Sequence, residues 1–341
     1  MEDQGTWIAD QAQAALEARM ERIYRQAQED IVKKLDEHTK RMNAKDKVKR
    51  AQLASGEITE EQYNKWLNGH VFAGKLWRDK VDSIAATLLR ANQHANAAIE
   101  GEKRAVFGQN ASFQAFGLEK TASMDLSFTI YDSATVTRLL REQPQLLPQR
   151  EVDAKKDQVW NRHKIANVIT QGTIQGESVP KIAKRLSEVL PDSNKKAMTR
   201  YARTAMTSAQ NAGRIEVMHE SQKMGIKVKK VWVAVADERT RAAHLDLNGQ
   251  VQNVDEPFDS ELGPIMYPGD PNADEANVWN CRCALGYEYE EYPSQEVGTE
   301  NGYDWEYEEE LSDMDFEGWI EYKGGDPETY LSPDYEEFDE Y

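Results

Sequence analysis

The sequence has only two cysteines among its 341 residues, Cys281 and Cys283, with a single arginine between them. Such a pair cannot staple a fold, so no disulfide framework is expected, which suits a reducing cytoplasm. No apolar run is long enough to span a bilayer. The opening MEDQGTWIADQAQ is acidic and lacks an apolar signal core, so export through a signal peptide is not expected. Apolar residues make up only 39% of the chain and charged residues 30%, a balance that fits long solvated helices better than one globule. Basic residues are almost missing from the C-terminal stretch. From Gly286 to Tyr341, 21 Asp and Glu face one basic residue, Lys323, while the preceding residues carry 41 Lys and Arg against 39 Asp and Glu. The net charge of -18 is therefore local to the tail. A chain this acidic is a poor candidate for tight, direct duplex binding, because phosphate contacts need clustered Lys and Arg.

What is present first is helical periodicity. The length suggests two or three domains. From Trp7 to Asn43, apolar residues Ile8, Ala12, Ala15, Leu16, Met20, Ile23, Ile31 and Leu35 mostly recur three or four apart. Ser55-Gly56-Glu57 breaks the pattern. Thr59 with Gln62 forms a capping-box signature, predicting a second helix from Thr59 towards Glu100 and an antiparallel hairpin of the two. Met124 to Tyr131 (MDLSFTIY) alternates like a strand or an extended loop. Ser133 is a candidate cap for a short helix that Pro144 and Pro148 end. Asp153 to Thr170 reads as a helix, and Gly172 and Gly176 punctuate the chain beyond it. Ser178 and Pro180 open a short helix to Leu190, stopped by Pro191-Asp192. The next helix, Asn194 to Met224, carries a stripe of mostly small residues, Ala197, Tyr201, Ala205, Ser208, Ala212 and Ile215, that lets a neighbouring backbone come close. Its arginines Arg203 and Arg214 are either salt-bridged to nearby helices or reach a polar cluster further along the chain.

That cluster lies between Val228 and Tyr289. A strand-like run, Lys227 to Ala234, precedes Asp237, Arg239, Arg241 and His244. Asn248-Gly249 reads as a hairpin turn, and Glu256 to Ala276, with four prolines, as an irregular loop. Strand-like alternation returns from Trp279, through Asn280, Cys281, Arg282 and Cys283. The ordered set Trp232, Asp237, Arg239-Thr240-Arg241, His244, Gly249, Pro268-Gly269-Asp270-Pro271 and Asn280-Cys281-Arg282-Cys283 resembles the phage Mu F-like minor head protein domain. Ala202 to Arg214 (ARTAMTSAQNAGR) resembles the helix that opens that domain. The resemblance covers roughly Lys181 to Tyr289. The predicted class is α+β: a helical arm over 1–176, a small α+β Mu F-like domain over 177–289 with a sheet against the Arg-bearing helix, and an acidic aromatic tail over 290–341.

Two thiols and an imidazole invite zinc, with His244, Cys281 and Cys283 as ligands and Asp237, His219 or water as the fourth. Structural zinc sites usually space paired cysteines two to four residues apart, so the preferred reading has no cofactor. In it the two cysteines alternate on a strand and pack as small apolar residues, while His244 and Asp237 anchor the loop through Asn280 and Arg282. A Cys/His nucleophile would need His244 as base and Asp237 as orienter; the sequence places neither within reach of a sulfur, and no enzyme is expected.

The resemblance implies a minor capsid protein of a tailed double-stranded DNA bacteriophage. It would be made in the host cytoplasm and built into the virion near the portal vertex or in the head interior. Its partners would be the portal protein and other capsid proteins, with packaged DNA met at most indirectly, no membrane and no small-molecule substrate. The alternatives are a metal- or thiol-dependent hydrolase built on Asp237, His244, Cys281 and Cys283, and a scaffold that leaves before maturation. Some members of the resembled family carry toxin domains after this one; here the C-terminal stretch has one basic residue and no histidine, so none is expected. That tail holds 13 aromatics, nine of them Tyr. It is either a disordered acidic segment or one that docks on the body or on a partner through its aromatics, its charge mimicking or repelling DNA.

Overall fold

A computed structural model describes residues 4–291, 311 and 313–331. Three long helices dominate it: α1 (Gln4–Ala54), α3 (Lys75–Ala122) and α6 (Val179–Lys223). Between them lie α2 (Glu60–Trp66), α4 (Ser133–Glu142) and α5 (Ala154–Ile174). The remainder is β1 (Lys227–Val233), α7 (Ala242–Asp246), β2 (Val251–Asn253), β3 (Phe258–Ser260), β4 (Gly263–Ile265), α8 (Glu275–Val278), β5 (Ala284–Glu291), α9 (Phe316–Tyr322) and α10 (Pro327–Leu331). The class is α+β, as the sequence predicts. No helix among the described residues is long and apolar enough to cross a membrane. The chain forms two compact units that interleave in sequence, and α1, α3 and α6 each contribute a segment to both.

One unit is all-helical, from residues 17–97 and 150–199. Its core gathers Ile31, Leu35, Tyr63, Leu67, Trp77, Ile84, Leu88, Ile165, Ile182, Leu186 and Leu190, among others. The α1 stripe holds its period, although Ala15 points out and Tyr24 and Ala27 join the buried face. α1 and α3 run antiparallel: Tyr24 Oη donates to Asn92 Oδ1 at 2.7 Å, and Lys34 Nζ donates to the Ser83 carbonyl at 3.3 Å. The Thr59/Gln62 capping box is formed. The second helix, however, is interrupted after α2 by a π-turn, Leu67–Val71, before α3 begins, and α3 runs well past Glu100.

The predicted stop at Pro191 is also corrected, because α6 runs straight through it. A proline there removes one helical hydrogen bond. Buried Leu186, Leu190 and Met198 hold the helix on both sides of it. Asn194, itself buried, donates to the Leu190 carbonyl at 2.9 Å and accepts from Asn92 at 3.0 Å.

The other unit comprises residues 4–16, 98–149 and 200–331 where described. Its sheet has the order β2-β1-β5, antiparallel throughout, with Lys230 opposite Gln252 on one side and Tyr287 on the other. β3 and β4 form a separate two-stranded ribbon inside the proline-rich stretch, so that stretch is more regular than the prolines suggest. Within this unit α6 and α3 approach at Gly213, where a Cβ would lie 2.3 Å from the Phe107 carbonyl oxygen. The contact is made at Gly213, which the small-residue stripe read from the sequence does not include.

Met124 to Tyr131 is an extended loop and not a strand. Leu126 and Phe128 are buried in alternation, but their amides donate to the Glu119 carboxylate, at 3.1 and 3.2 Å, in place of a neighbouring strand. The cap of α4 is Asp132 and not Ser133: its carboxylate accepts from the Thr135 amide at 2.7 Å.

Part of the acidic tail is ordered against α3. α9 buries Phe316, Trp319 and Ile320, with Phe316 set edge-on to Phe113 at 5.3 Å. Trp319 Nε1 donates to Glu119 Oε2 at 2.6 Å. Lys323, the one basic residue of the tail, bridges Glu119 at 3.1 Å and Asp125 at 2.9 Å. The rest of the tail sequence, 292–310, 312 and 332–341, lies outside the described residues.

Candidate functional site

The site is built on the C-terminal half of α6, which presents Thr204, Thr207 and Asn211 to the Asn280–Cys283 segment. Three and four residues apart, they share one helix face. Asn280 takes a positive φ of 56° and its amide donates to Thr204 Oγ1 at 3.2 Å. Thr207 Oγ1 donates to the Cys281 carbonyl at 2.7 Å, and Asn211 Nδ2 to the Cys283 carbonyl at 3.2 Å. Asn211 Nδ2 also donates to the Pro268 carbonyl at 3.0 Å, and its Oδ1 accepts from the Leu285 amide at 2.7 Å. Gly269, next to Pro268, has φ 82°, and a Cβ there would meet the Ser208 backbone at 2.8 Å. The Pro268–Pro271 and Asn280–Cys283 motifs are therefore both seated on α6.

Cys281 and Cys283 precede β5 and do not lie on a strand, contrary to expectation. They still face the same way, towards His244 on α7. Cys281 Sγ lies 3.5 Å and Cys283 Sγ 3.6 Å from His244 Nδ1. The three residues are 1–3% exposed. Trp232, wholly buried, sets its ring edge-on to the imidazole at 5.3 Å.

The other imidazole nitrogen does not pair with Asn280. Its partner is Asn277, whose Oδ1 lies 3.1 Å from His244 Nε2. Asn277 Nδ2 donates to the Gly263 carbonyl at 2.9 Å, while Oδ1 also accepts from Ser260 Oγ at 3.2 Å. The amide orientation is thereby fixed, so His244 Nε2 must carry the proton. In the neutral ring, Nδ1 then offers its lone pair to the sulfurs. The Cys281 thiol, beside Cys283 and buried, is pushed well above the usual range. Cys283 is drawn down to about 5, by the Cys281 thiol first and by His244 as well.

Asp237 and Arg282 form a clamp over this centre. The guanidinium donates twice to the carboxylate, at 2.6 Å each, and holds the Asp237 carboxyl well below the usual range. The Arg239 amide and Thr240 Oγ1 also donate to Asp237, at 3.0 and 3.1 Å. Arg241 donates to the Trp279 carbonyl. The Arg239 side chain is 80% exposed, with Nε 3.8 Å from Asp237 Oδ2. On the helix, Arg203 is exposed. Arg214 is buried and donates to Asn110 Oδ1 at 3.2 Å, the Leu285 carbonyl at 2.9 Å and Thr6 Oγ1 at 3.3 Å, tying β5 to α3 and α1. Sequence reasoning missed Thr204, Thr207, Asn211 and Asn277. The polar residues three and four apart inside an otherwise small-residue helix were the available signal. It also missed Lys230, which is buried on the central strand and donates to the Val254 and Met266 carbonyls at 3.0 and 2.9 Å.

Residues 163–286 match the family model described as phage Mu protein F like protein. The chain is 32% identical over 174 residues to the minor head protein GP7 of Bacillus phage SPP1, a match covering 51% of this chain and 55% of that one. It is 35% identical over 123 residues to a protein of Enterococcus faecalis named NAD(+)--arginine ADP-ribosyltransferase EFV, covering 35% of this chain and 24% of that one. The chain thus spans about half the length of the first relative and about a quarter of the second. No solved structure matches. The matched segment holds α6, β1, β2, the start of β5 and the seated Cys/His centre, and it is this segment that is similar to the phage Mu F-like protein family.

Proposed function

We propose that this protein is a minor head protein of a tailed double-stranded DNA bacteriophage, acting in head morphogenesis near the portal vertex. The observation that carries the reading is that the residues defining the family motif build a buried lock. His244, Cys281 and Cys283 are 1–3% exposed, and Thr204, Thr207 and Asn211 hold their segment by its backbone. A lock of this kind stiffens a module for assembly. A thiol hydrolase would need a reachable sulfur; here both sulfurs and the imidazole are buried, and Asp237 is engaged by Arg282. The convergence of His244 with both sulfurs, and the Asn277 amide that orients the imidazole, are the features favouring the hydrolase reading. The transferase name belongs to a relative most of which lies outside the match.

The partners in this reading are the portal protein and other capsid proteins, met in the host cytoplasm during assembly and retained in the virion. Contact with packaged DNA in this reading is indirect, because the body is near neutral in net charge and the tail is acidic. Mass spectrometry of purified procapsids and mature virions tests it. The chain is expected in both, at low copy number. Absence from both overturns the reading, and presence in procapsids alone replaces it with that of a departing scaffold.

A further inference from the structure

We propose that His244 Nδ1, Cys281 Sγ and Cys283 Sγ form a binding site for a tetrahedral zinc ion. This goes beyond the head-protein reading and does not depend on it.

The three ligand atoms lie within 4.8 Å of one another. Zinc binds thiolate at about 2.3 Å and imidazole nitrogen at about 2.0–2.1 Å, so tetrahedral geometry sets a sulfur and a nitrogen about 3.6 Å apart. The observed separations are 3.5 and 3.6 Å. One atom, Nδ1, meets both sulfurs at that distance, which is what a shared ion requires.

The surroundings supply the rest. A ligating imidazole needs its other nitrogen protonated and held, and the Asn277 amide, fixed by Gly263 and Ser260, does this for Nε2. The Cys283 amide points at Cys281 Sγ from 3.4 Å, a donor that stabilises a ligating sulfur. Trp232 and the burial of all three residues keep bulk water out. Arg282, between the two cysteines, turns outward to Asp237, leaving both sulfurs facing inward. The single-residue spacing that argued against zinc is accommodated because the two cysteines lie in an irregular stretch entered at Asn280 with positive φ. The protein gives three ligands, and a solvent molecule completes the tetrahedron. Binding displaces the thiol protons as the sulfurs become thiolates, so uptake weakens in acid. The ion joins α7 to the segment ahead of β5.

The test uses the full chain, purified under reducing conditions from zinc-supplied growth and analysed by elemental mass spectrometry. About one zinc per chain is expected, falling at least about tenfold in Cys283→Ser and in His244→Ala. Should those variants fail to fold, the wild-type chain answers alone. Stripped of metal and given cobalt chloride, it is expected to show thiolate-to-cobalt charge-transfer absorption that zinc chloride abolishes. A folded wild-type chain with neither stoichiometric zinc nor that absorption overturns the proposal.

Discussion

Replacing Trp319 tests whether the acidic C-terminal segment is part of the fold. Trp319 is wholly buried, stacked against Phe316 with ring centroids 6.1 Å apart, and its Nε1 donates to Glu119 Oε2 at 2.6 Å. Trp319→Ala removes the whole ring, for which core truncations cost about 3–5 kcal/mol. Trp319→Phe keeps most of the apolar contact and deletes the donor, and a hydrogen bond to a charged group contributes about 1.5–3 kcal/mol. Lys323 and the Leu126 and Phe128 amides still hold Glu119, so the phenylalanine variant should fall at the lower end of that range.

The pH dependence comes from Glu119. Burial pushes its carboxyl up, and Trp319 and Lys323 pull it back. Without Trp319 the folded-state value rises further. A raised carboxyl favours the folded state below its unfolded value, and that advantage is lost as pH rises through the folded one. The Trp319→Phe penalty should therefore be small in acid and grow towards neutral pH. Guanidinium unfolding followed by circular dichroism, at several pH values, measures both variants. A Trp319→Ala penalty below about 1 kcal/mol would refute the structural role of α9, since that is far short of a core truncation.

Three other substitutions probe the buried polar groups and the helix contact. Asn277→Ala leaves His244 Nε2, Ser260 Oγ and the Gly263 carbonyl without their partner, and unfolding experiments should show a loss of about 2–3 kcal/mol. Lys230 is lowered to about 8 by burial, so between that value and about 10.4 the unfolded chain binds the proton more tightly and wild-type stability rises with pH; Lys230→Met should lack this rise, read as the difference between the two stability–pH curves. Gly213→Ala puts a methyl 2.3 Å from the Phe107 carbonyl oxygen and 3.0 Å from the Ala111 amide nitrogen, backbone atoms that cannot step aside, and its unfolding midpoint should drop by the equivalent of about 1–3 kcal/mol or more.

Much of the helical frame was legible because its signals are local. The α1 stripe and the Thr59/Gln62 box each involve residues within a few positions of one another, where helix geometry alone sets the pattern. Local signals misled where packing outweighed them. Pro191 lies inside α6 because buried residues on both sides hold the helix. Met124 to Tyr131 alternates like a strand, yet its amides found the Glu119 carboxylate.

The sequence by itself determined the long helices, the α+β class, the near-neutral body and the charged tail, since period, composition and charge are properties of neighbours. It also named His244, Cys281 and Cys283 as residues worth watching. Only the tertiary structure decided that Nδ1 meets both sulfurs across 37 and 39 positions of chain, that Asn277 sets the tautomer, that Lys230 is buried, and that Lys323 lands on Glu119. The physical reason is common to all four: a buried polar group must find its partner wherever the packed backbone brings one, and that place is fixed by contacts between elements that no local pattern encodes.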